Sequence, residues 1–454
     1  TAGGVSNQVY SDMGFVAGGF NNSVSGTSSA AIGGYSNSVT GSRSVNISGV
    51  INSVEGEYSG NVAGYQNTAS GNYSGNVSGN NNQTFGTYSG NLAGSNNSAI
   101  GNNSGNISGQ LNVVRGDYSG NIGGTNNTIT TGSNYSVTAG GVSNQVYSDM
   151  GFVAGGHDNS VSGTSSAAIG GYSNSVTGNN SGNFAGQDST VSGLNSVTAG
   201  GVSNQVYSDM GFVAGGFNNS VSGDRSGNVA GDTNTVSGDR SGNVAGDTNT
   251  VSGNRSGNLA GRSNGVNGLR SGNVAGILNQ VSGTDSANIA GDNNSIFDSN
   301  VATLGGQGLS TQGGSGTSWD YAALAGRYND YTNYPWDQTS TQTLPGASHR
   351  FVVGSGSADG SRNNAFVVDD VGNLYFGTTP GACIYTRTGA TSYVAKAFTI
   401  QHPTITDRWL RHGCLEGPEG GVYYRGRGEA PTTISLPDYA HRIASDFTLQ
   451  ITPI

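Results

Sequence analysis

Aliphatic residues recur at a nearly constant interval through the first two thirds of the chain. Marking the first aliphatic residue or threonine of each copy gives 21 anchors between Thr1 and Leu304. The interval is 15 residues, with four steps of 16 and one of 14. The cleanest copies are SGNVAGDTNTVSGDR (226–240) and SGNVAGDTNTVSGNR (241–255). Because so short a unit cannot bury a face alone, the period predicts the stacked coils of a solenoid.

Each unit carries two aliphatic residues, seven positions apart. This spacing predicts two short strands on opposite walls of a coil, with one Val or Ile pointing inward from each wall. Serine, threonine and alanine are then expected to point outward, and glycine to supply the positive φ values of the corners. The predicted fold is all-β: a flattened β-roll of about 21 coils, followed by a small β-rich C-terminal domain.

Three side-chain types are predicted to form ladders along the coils. The asparagine before the second valine, as at Asn234 and Asn249, is expected to hydrogen-bond to its equivalents above and below. The last position of the unit holds tyrosine in several early copies, namely Tyr58, Tyr73, Tyr88 and Tyr118. The same position later holds Arg225, Arg240, Arg255 and Arg270. These outward ladders form either a solvated edge, a seam between chains or, for the tyrosines, an aromatic platform for glycans.

The repeat pattern is lost after Leu304. Residues 305–349 form an aromatic-rich segment that either caps the exposed strand edges of the roll or binds saccharides. Its candidate glycan contacts are Trp319, Tyr321, Tyr334 and Trp336. Residues 350–379 are predicted to be a short β connector, and residues 380–454 a C-terminal β domain.

Composition excludes several classes of protein. Glycine accounts for 80 of 454 residues and charged residues for only 10%, and the strict period argues against disorder. The net charge of −10 without a basic stripe argues against nucleic-acid binding. No apolar run is long enough to span a membrane as a helix. Two cysteines, Cys383 and Cys414, define neither a disulfide scaffold nor a metal site, and their pairing stays open.

Chemistry-bearing residues cluster only near the end of the sequence. The set comprises His402, His412, Cys414, Glu416, Glu419, Tyr424 and Arg425. Cysteine, histidine and glutamate together suggest a nucleophile with its base or a metal site, but the spacing matches neither pattern. We prefer the interpretation that these residues form a hydrogen-bonded polar network that holds neighbouring chains in register. We therefore expect a protein that is not an enzyme and needs no cofactor.

The residues resemble three known families. The repeat resembles the β-roll heads of trimeric autotransporter adhesins and their counterparts in bacteriophage fibres. FVVGSGSADGSRNNAFVVDDVGNLYFG, beginning at Phe351, resembles the segment after such repeats in phage fibre proteins. The motif HP…HGCLEGPE.GVYYRG (402–426) resembles a C-terminal domain of fibre and appendage proteins of phages and large DNA viruses. The repeated N-x-V-S-G also resembles the ice-recrystallisation-inhibiting roll of grasses. However, the outward position before the second valine varies too much between copies for a regular ice-binding array.

These resemblances imply a structural and adhesive function. The expected protein is a parallel homotrimeric fibre on a virion surface, whose shaft presents a terminal domain to a host glycan or receptor. Other appendage or baseplate proteins are the expected further partners. The alternative is a cellular surface adhesin or extracellular filament, and a self-cleaving fibre ranks below both. The chain starts in mid-repeat, and the resemblance implies further strands after Ile454, so we expect a piece of a longer protein.

Overall fold

The computed structural model shows an all-β chain in which the repeats form a parallel β-solenoid of about 20 coils. It divides into two compact units, Thr1–Ser282 and Gly283–Ile454. The structure describes residues 1–311, 319–329, 349–359, 361–362, 364–369, 374–376, 383–385, 397–401, 409–413, 433 and 436. The predicted all-β solenoid is confirmed.

Each coil of the first unit contributes one two- or three-residue strand to each of two parallel sheets, called wall A and wall B. Wall A consists of Phe15–Val16, Ala30–Ala31, Val45–Asn46, Gly60–Asn61, Gly75–Asn76, Gly90–Asn91, Gly105–Asn106, Gly120–Asn121, Val137–Thr138, Phe152–Val153, Ala167–Ile169, Gly182–Phe184, Val197–Thr198, Phe212–Val213, Gly227–Asn228, Gly242–Asn243, Gly257–Asn258 and Gly272–Asn273. Wall B consists of Gln8–Val9, Ser23–Val24, Ser38–Val39, Ser53–Val54, Thr68–Ala69, Gln83–Thr84, Ser98–Ala99, Val113–Val114, Thr128–Ile129, Gln145–Val146, Ser160–Val161, Ser175–Val176, Thr190–Val191, Gln205–Val206, Ser220–Val221, Thr235–Val236, Thr250–Val251, Gly265–Val266 and Gln280–Val281. At about 4.8 Å per coil, wall B of this unit extends over about 85 Å.

The interior of a coil differs from the prediction of one aliphatic residue per wall. In the copy at 226–240, Val236 of wall B is fully buried, but Val229 of wall A is 45% exposed. The residue that points inward from wall A is Asn228, and Ser226 is buried beside it. Because side chains alternate along a strand, an inward asparagine forces the next residue outward. The prediction is therefore wrong for wall A in these copies, whose interior is mainly polar.

The register is more regular than the sequence anchors indicated. Neighbouring strands of the first unit pair residues 15 positions apart, as in Gly75↔Gly90. The exception is a step of 17, where Asn121 pairs with Thr138. The anchors drifted because the first aliphatic residue of a copy occupies the inward slot at Val16 but the outward slot at Ile32. The step of 14 and three of the four steps of 16 therefore do not reflect changes of coil length, whereas the step from Ile122 to Thr138 includes the 17-residue coil.

A third ladder runs along the solenoid in addition to the two predicted walls. It consists of single-residue parallel bridges at the corner that follows wall A, as in Phe20↔Tyr35 and Asp232↔Asp247. The corner between wall B and the next wall A carries no such bridge in the described residues. A coil therefore has two unlike corners.

The corners use glycine less than expected. Non-glycine residues in the left-handed region occur twice in most coils, for example Thr233 (φ 55°) and Arg240 (φ 57°). Gly231 has a positive φ of 110°, but Gly238 does not. At Gly238 a Cβ atom would lie 2.2 Å from the carbonyl oxygen of Gly253 in the next coil. That glycine is required by close stacking of coils and not by the turn, which corrects the prediction for half of the corner glycines.

The second unit begins with the same parallel strands and continues into longer ones. Parallel pairing does not stop at Leu304, because Ala302 pairs with Ala323 and Leu324 pairs with Val352. Antiparallel pairing starts between His349–Ser355 and Asn364–Asp369. The strands of this unit are Ala287–Asn288, Ser295–Ile296, Ala302–Thr303, Ala323–Arg327, His349–Ser355, Asn364–Asp369, Leu374–Phe376, Cys383–Tyr385 and a separate hairpin, Ala397–Gln401 with Trp409–Gly413.

Candidate interaction surfaces

Hydrogen-bonded ladders fill the interior and fix the coils in register. The backbone N–H of Asn234 donates to Asn219 Oδ1 (3.0 Å), and the N–H of Asn249 donates to Asn234 Oδ1 (2.9 Å). Asn234 Nδ2 donates to the carbonyl oxygen of Gly246 (3.0 Å). Both asparagines are fully buried, so their amides hold the stack together and are closed to any ligand.

A second ladder, of buried serines, was missed in the sequence. The N–H of Ser241 donates to Ser226 Oγ (2.9 Å), and Ser241 Oγ donates to the carbonyl oxygen of Gly253 (2.7 Å). The available signal was a serine two positions before the inward residue of wall A, which is present in 15 of the 18 copies of the first unit. Serine fits because its hydroxyl both accepts from one coil and donates to another.

The outward side of wall A carries a row of exposed apolar side chains, called the apolar stripe. Its members occupy the position after the inward residue, spaced one coil apart. Sequence reasoning had placed this position inside the roll. The exposed members in the first unit are Ile32, Ile47, Val62, Val77, Leu92, Ile107, Ile122, Ile169, Phe184, Val229, Val244, Leu259 and Val274.

Large and small residues alternate between the two outward slots of wall A. In most coils a glycine precedes the inward residue and an aliphatic residue follows it, as at Gly90 and Leu92. Where the first slot holds a large residue, the second holds alanine, as in Phe15/Ala17, Phe152/Ala154, Val197/Ala199 and Phe212/Ala214. Only the coil with Val45 and Ile47 places large residues in both slots. Each of the other coils of the first unit thus presents one apolar knob beside one gap, and Gly75, Gly90 and Gly105 line a shallow groove of this kind.

The tyrosine ladder presents ring edges to solvent. The rings of Tyr58 and Tyr73 stack with centroids 4.8 Å apart, and those of Tyr73 and Tyr88 with centroids 4.7 Å apart. The guanidinium of Arg43 covers the outer face of Tyr58 at 5.1 Å and forms an ion pair with Glu57 at 3.0 Å. Desolvation, followed by the neighbouring phenols, raises the pKa of Tyr73 above 10.0. Sugars stack on ring faces, and here the shared faces are occupied by other rings.

The arginine ladder lies on the same corner as the tyrosine ladder. Arg225, Arg240 and Arg255 are exposed and form no ion pair within 4 Å in the described part of the chain. The carboxylate of Asp239 instead accepts the backbone N–H of Asp224 at 3.1 Å. Arg270 occupies the fourth rung. Arg225, Arg240 and Arg255 are therefore available to a partner, whereas the carboxylate of Asp239 is engaged by the backbone.

The aromatic-rich segment splits into buried and exposed parts. Trp319 is 0% exposed, which corrects its assignment as a glycan contact, because a buried indole cannot touch a ligand. Tyr321 is 68% exposed, and the guanidinium of Arg350 lies 5.6 Å from its ring centroid. The predicted contacts Tyr334 and Trp336 lie outside the described residues. Trp319 therefore fits a cap, and only Tyr321 of the described pair is open to a ligand.

The C-terminal cluster is described at one position only. The backbone of His412 lies on the strand Trp409–Gly413, opposite Phe398. The other members lie outside the described residues: His402, Cys414, Glu416, Glu419, Tyr424 and Arg425. Cys383 begins a strand, but its pairing with Cys414 falls outside as well.

Comparisons with known proteins do not assign the chain to a family. No family model matches the chain, and no curated protein gives a significant sequence match. Among the described residues, no group of three or more His, Cys, Asp or Glu side chains could hold a metal ion. The described part of the chain also contains no helix long and apolar enough to cross a membrane. The apolar stripe of wall A, with thirteen exposed large side chains in the first unit, is the strongest candidate surface for function.

Proposed function

We propose that this chain is a structural and adhesive fibre protein, in which three parallel copies form a shaft that presents a terminal domain for attachment. The coil interior supports this proposal because it gives rigidity with few apolar atoms. Buried asparagine and serine ladders connect every coil to the next through hydrogen bonds. A rod built this way can be lengthened by adding coils without redesigning any of them.

The apolar stripe is the observation that carries the proposal. Monomeric soluble proteins rarely expose a continuous apolar patch larger than a few hundred Å². Here one large apolar side chain per coil is exposed along most of wall A of the first unit. Association of copies along their length removes this surface from water, and the result is a multi-chain shaft.

A virion appendage is the favoured setting. The motif at 402–426 resembles a C-terminal domain of viral fibres, and this resemblance favours a virion fibre over a cellular adhesin built on the same roll. The partners we propose are further copies of the chain, other appendage or baseplate proteins, and a glycan or receptor on the host surface. Tyr321 is the most exposed of the described aromatic side chains in the segment 305–349.

Sedimentation equilibrium and electron microscopy of the intact protein test the proposal. We expect a mass of three chains at micromolar concentration and slender rods in negative stain. Antibodies raised against residues 1–282 are expected to label projections on the source particle. A single-chain mass would contradict the trimeric fibre, and labelling confined to a cell surface would favour the cellular adhesin.

A further inference from the structure

We propose that wall A is the docking face for further copies of this chain, arranged parallel and in the same axial register. This inference rests on the proposed fibre function and names the surface and the side chains through which its copies meet. The occupant is another copy, because the shape, the repeat spacing and the flanking charges of wall A each fit a second wall A.

The relief of wall A is complementary to itself. Val77, Leu92 and Ile107 form knobs one coil apart, and Gly75 and Gly90 leave gaps beside them. A Cβ atom added to Gly90 would meet only the carbonyl oxygen of Gly75, at 3.1 Å, so the gap opens outward. A second copy has the same rise of about 4.8 Å per coil, so its knobs stay aligned with the gaps along the whole unit.

Conservation of the knob supports a packed partner. If wall A faced solvent, nothing would require Phe15 to be matched with Ala17 or Phe212 with Ala214. In most other coils of the first unit glycine or alanine is matched with a large apolar residue, and the coil with Val45 and Ile47 is the exception. A packed surface requires such matching, because two large residues in one coil would overfill the contact and two small ones would leave a void.

The exposed apolar area of the stripe approaches the area that a standard interface buries on each partner. The thirteen large side chains of the apolar stripe in the first unit are roughly half exposed. At about 50 Å² each, they supply on the order of 600 Å² per chain before glycine and alanine atoms are counted. A standard interface buries about 800 Å² per partner.

The two corners beside wall A determine the orientation of the second copy. The corner before a wall A strand is called the leading flank, and the corner after it is called the trailing flank. Arg225 and Arg240 directly precede wall A segments, whereas Asp232 and Asp247 lie at the corner that follows it. If two walls face each other in parallel and in register, the leading flank of one copy meets the trailing flank of the other. Arg225 and Arg240 then meet Asp232 and Asp247, whereas Arg255 meets Arg262 in the following coil. An antiparallel arrangement places like flanks together and therefore like charges.

The flanks also determine the axial register. Aromatic rings occur on both corners of the early coils: Tyr58 and Tyr73 stack on the leading flank, and Phe20 and Tyr35, three coils earlier, stack at 5.2 Å on the trailing flank. In the first unit, only the coil with Tyr58 and Tyr65 is aromatic at both corners. Both corners are charged in the same later coils. A shift by many coils places aromatic rings against unpaired charges, which costs desolvation without compensation.

Matched aspartate substitutions test the face. Leu92→Asp with Ile107→Asp places two carboxylates on the outward side of wall A, and Gln83→Asp with Ser98→Asp places two on the outward side of wall B. Sedimentation is expected to show the dissociation constant rising at least about 100-fold for the first pair and less than about 3-fold for the second. Circular dichroism checks that both variants keep the β-solenoid.

Charge reversal tests the orientation. Arg225→Glu with Arg240→Glu is expected to weaken assembly about 10-fold, and adding Asp232→Arg with Asp247→Arg restores it. In an antiparallel assembly the first pair leaves like charges facing each other, so assembly is unchanged. No loss of assembly in the first pair, or no recovery in the fourfold variant, overturns the parallel arrangement.

The outcomes separate this inference from the fibre proposal. If the wild-type chain assembles and the wall A carboxylates leave assembly intact, the docking face is wrong while the fibre stands. If the wild-type chain sediments as a single copy, both fail. Equal weakening by the wall A and wall B pairs assigns the contact to no single face and also overturns the inference.

Discussion

Wall A and wall B are built from similarly short strands with the same period, yet they differ in which side chains point inward and which point to solvent. Wall B buries its valine and shows solvent mainly serine, threonine and glutamine, as in Thr235–Val236. Wall A buries serine and asparagine and exposes its aliphatic residue, as in Asn228 and Val229. The 15-residue period therefore accounts for the stacking of both walls, while the side on which each apolar residue lies decides whether it belongs to a core or to an interface.

Two glycines of one coil provide the largest expected contrast. Gly238→Ala, after wall B, forces a Cβ atom to 2.2 Å from the carbonyl oxygen of Gly253, whereas Gly242→Ala, on wall A, meets only Gly227 oxygen at 3.5 Å. We expect Gly238→Ala to lower the free energy of unfolding by about 3 kcal/mol and Gly242→Ala by less than about 1 kcal/mol. Urea denaturation measures both. Equal losses would show that the two walls stack with the same tolerance.

Truncating the two valines of one coil should separate core from surface. Val236→Ala leaves a cavity in wall B and is expected to cost about 2 kcal/mol. Val229→Ala removes exposed atoms of wall A, so the free energy of unfolding should change by less than about 0.5 kcal/mol while the assembly weakens. Urea denaturation and sedimentation of both variants check this. A similar loss of folding stability at Val229 would contradict the exposed position.

The polar interior of wall A predicts a smaller but specific penalty. Asn258 Nδ2 donates to Asn243 Oδ1 at 2.7 Å, and Asn273 Nδ2 donates to Asn258 Oδ1 at 2.6 Å. Asn258→Val fits by volume, since Val213 occupies the same slot, but it removes both bonds. We expect a loss of about 1.5 kcal/mol in urea denaturation. Asn267→Val, on the outward side of wall B, is the control and should cost less than about 0.5 kcal/mol.

The tyrosine ladder, at the corner that precedes wall A, gives the smallest expected effect on stability, and this effect appears at alkaline pH. Because the pKa of Tyr73 in the folded chain is raised above 10.0, folding favours the neutral phenol. Its contribution to stability is complete below about pH 10 and is lost as the pH rises through the folded pKa. Thermal unfolding across this range, with tyrosinate absorbance as the readout, is expected to show a steeper loss for wild type than for Tyr73→Phe. Identical profiles would contradict the shift.

The sequence was informative where a residue had one compatible role. The 15-residue period predicted parallel stacking, and the asparagine before each wall B valine has the hydrogen bonds that a buried amide requires. It was misleading where two roles are chemically compatible. The valine of Ser-Gly-Asn-Val, such as Val229, is suited to a core as well as to an interface. It points outward because its neighbour Asn228 points inward. Trp319 was likewise open to a cap and to a glycan site until its burial was known.

The amino-acid sequence by itself determined the class and the repeat of this protein, because a short strict period has no stable solution except stacking. Which side chains face inward was decided only by the tertiary structure. A two-residue strand does not by itself fix which of its residues points inward. A shift of the sequence by one residue along the strand would therefore exchange core and surface positions. The hydrogen bonds of buried serine and asparagine across neighbouring coils determine which residue points inward, and they exist only once the coils are stacked.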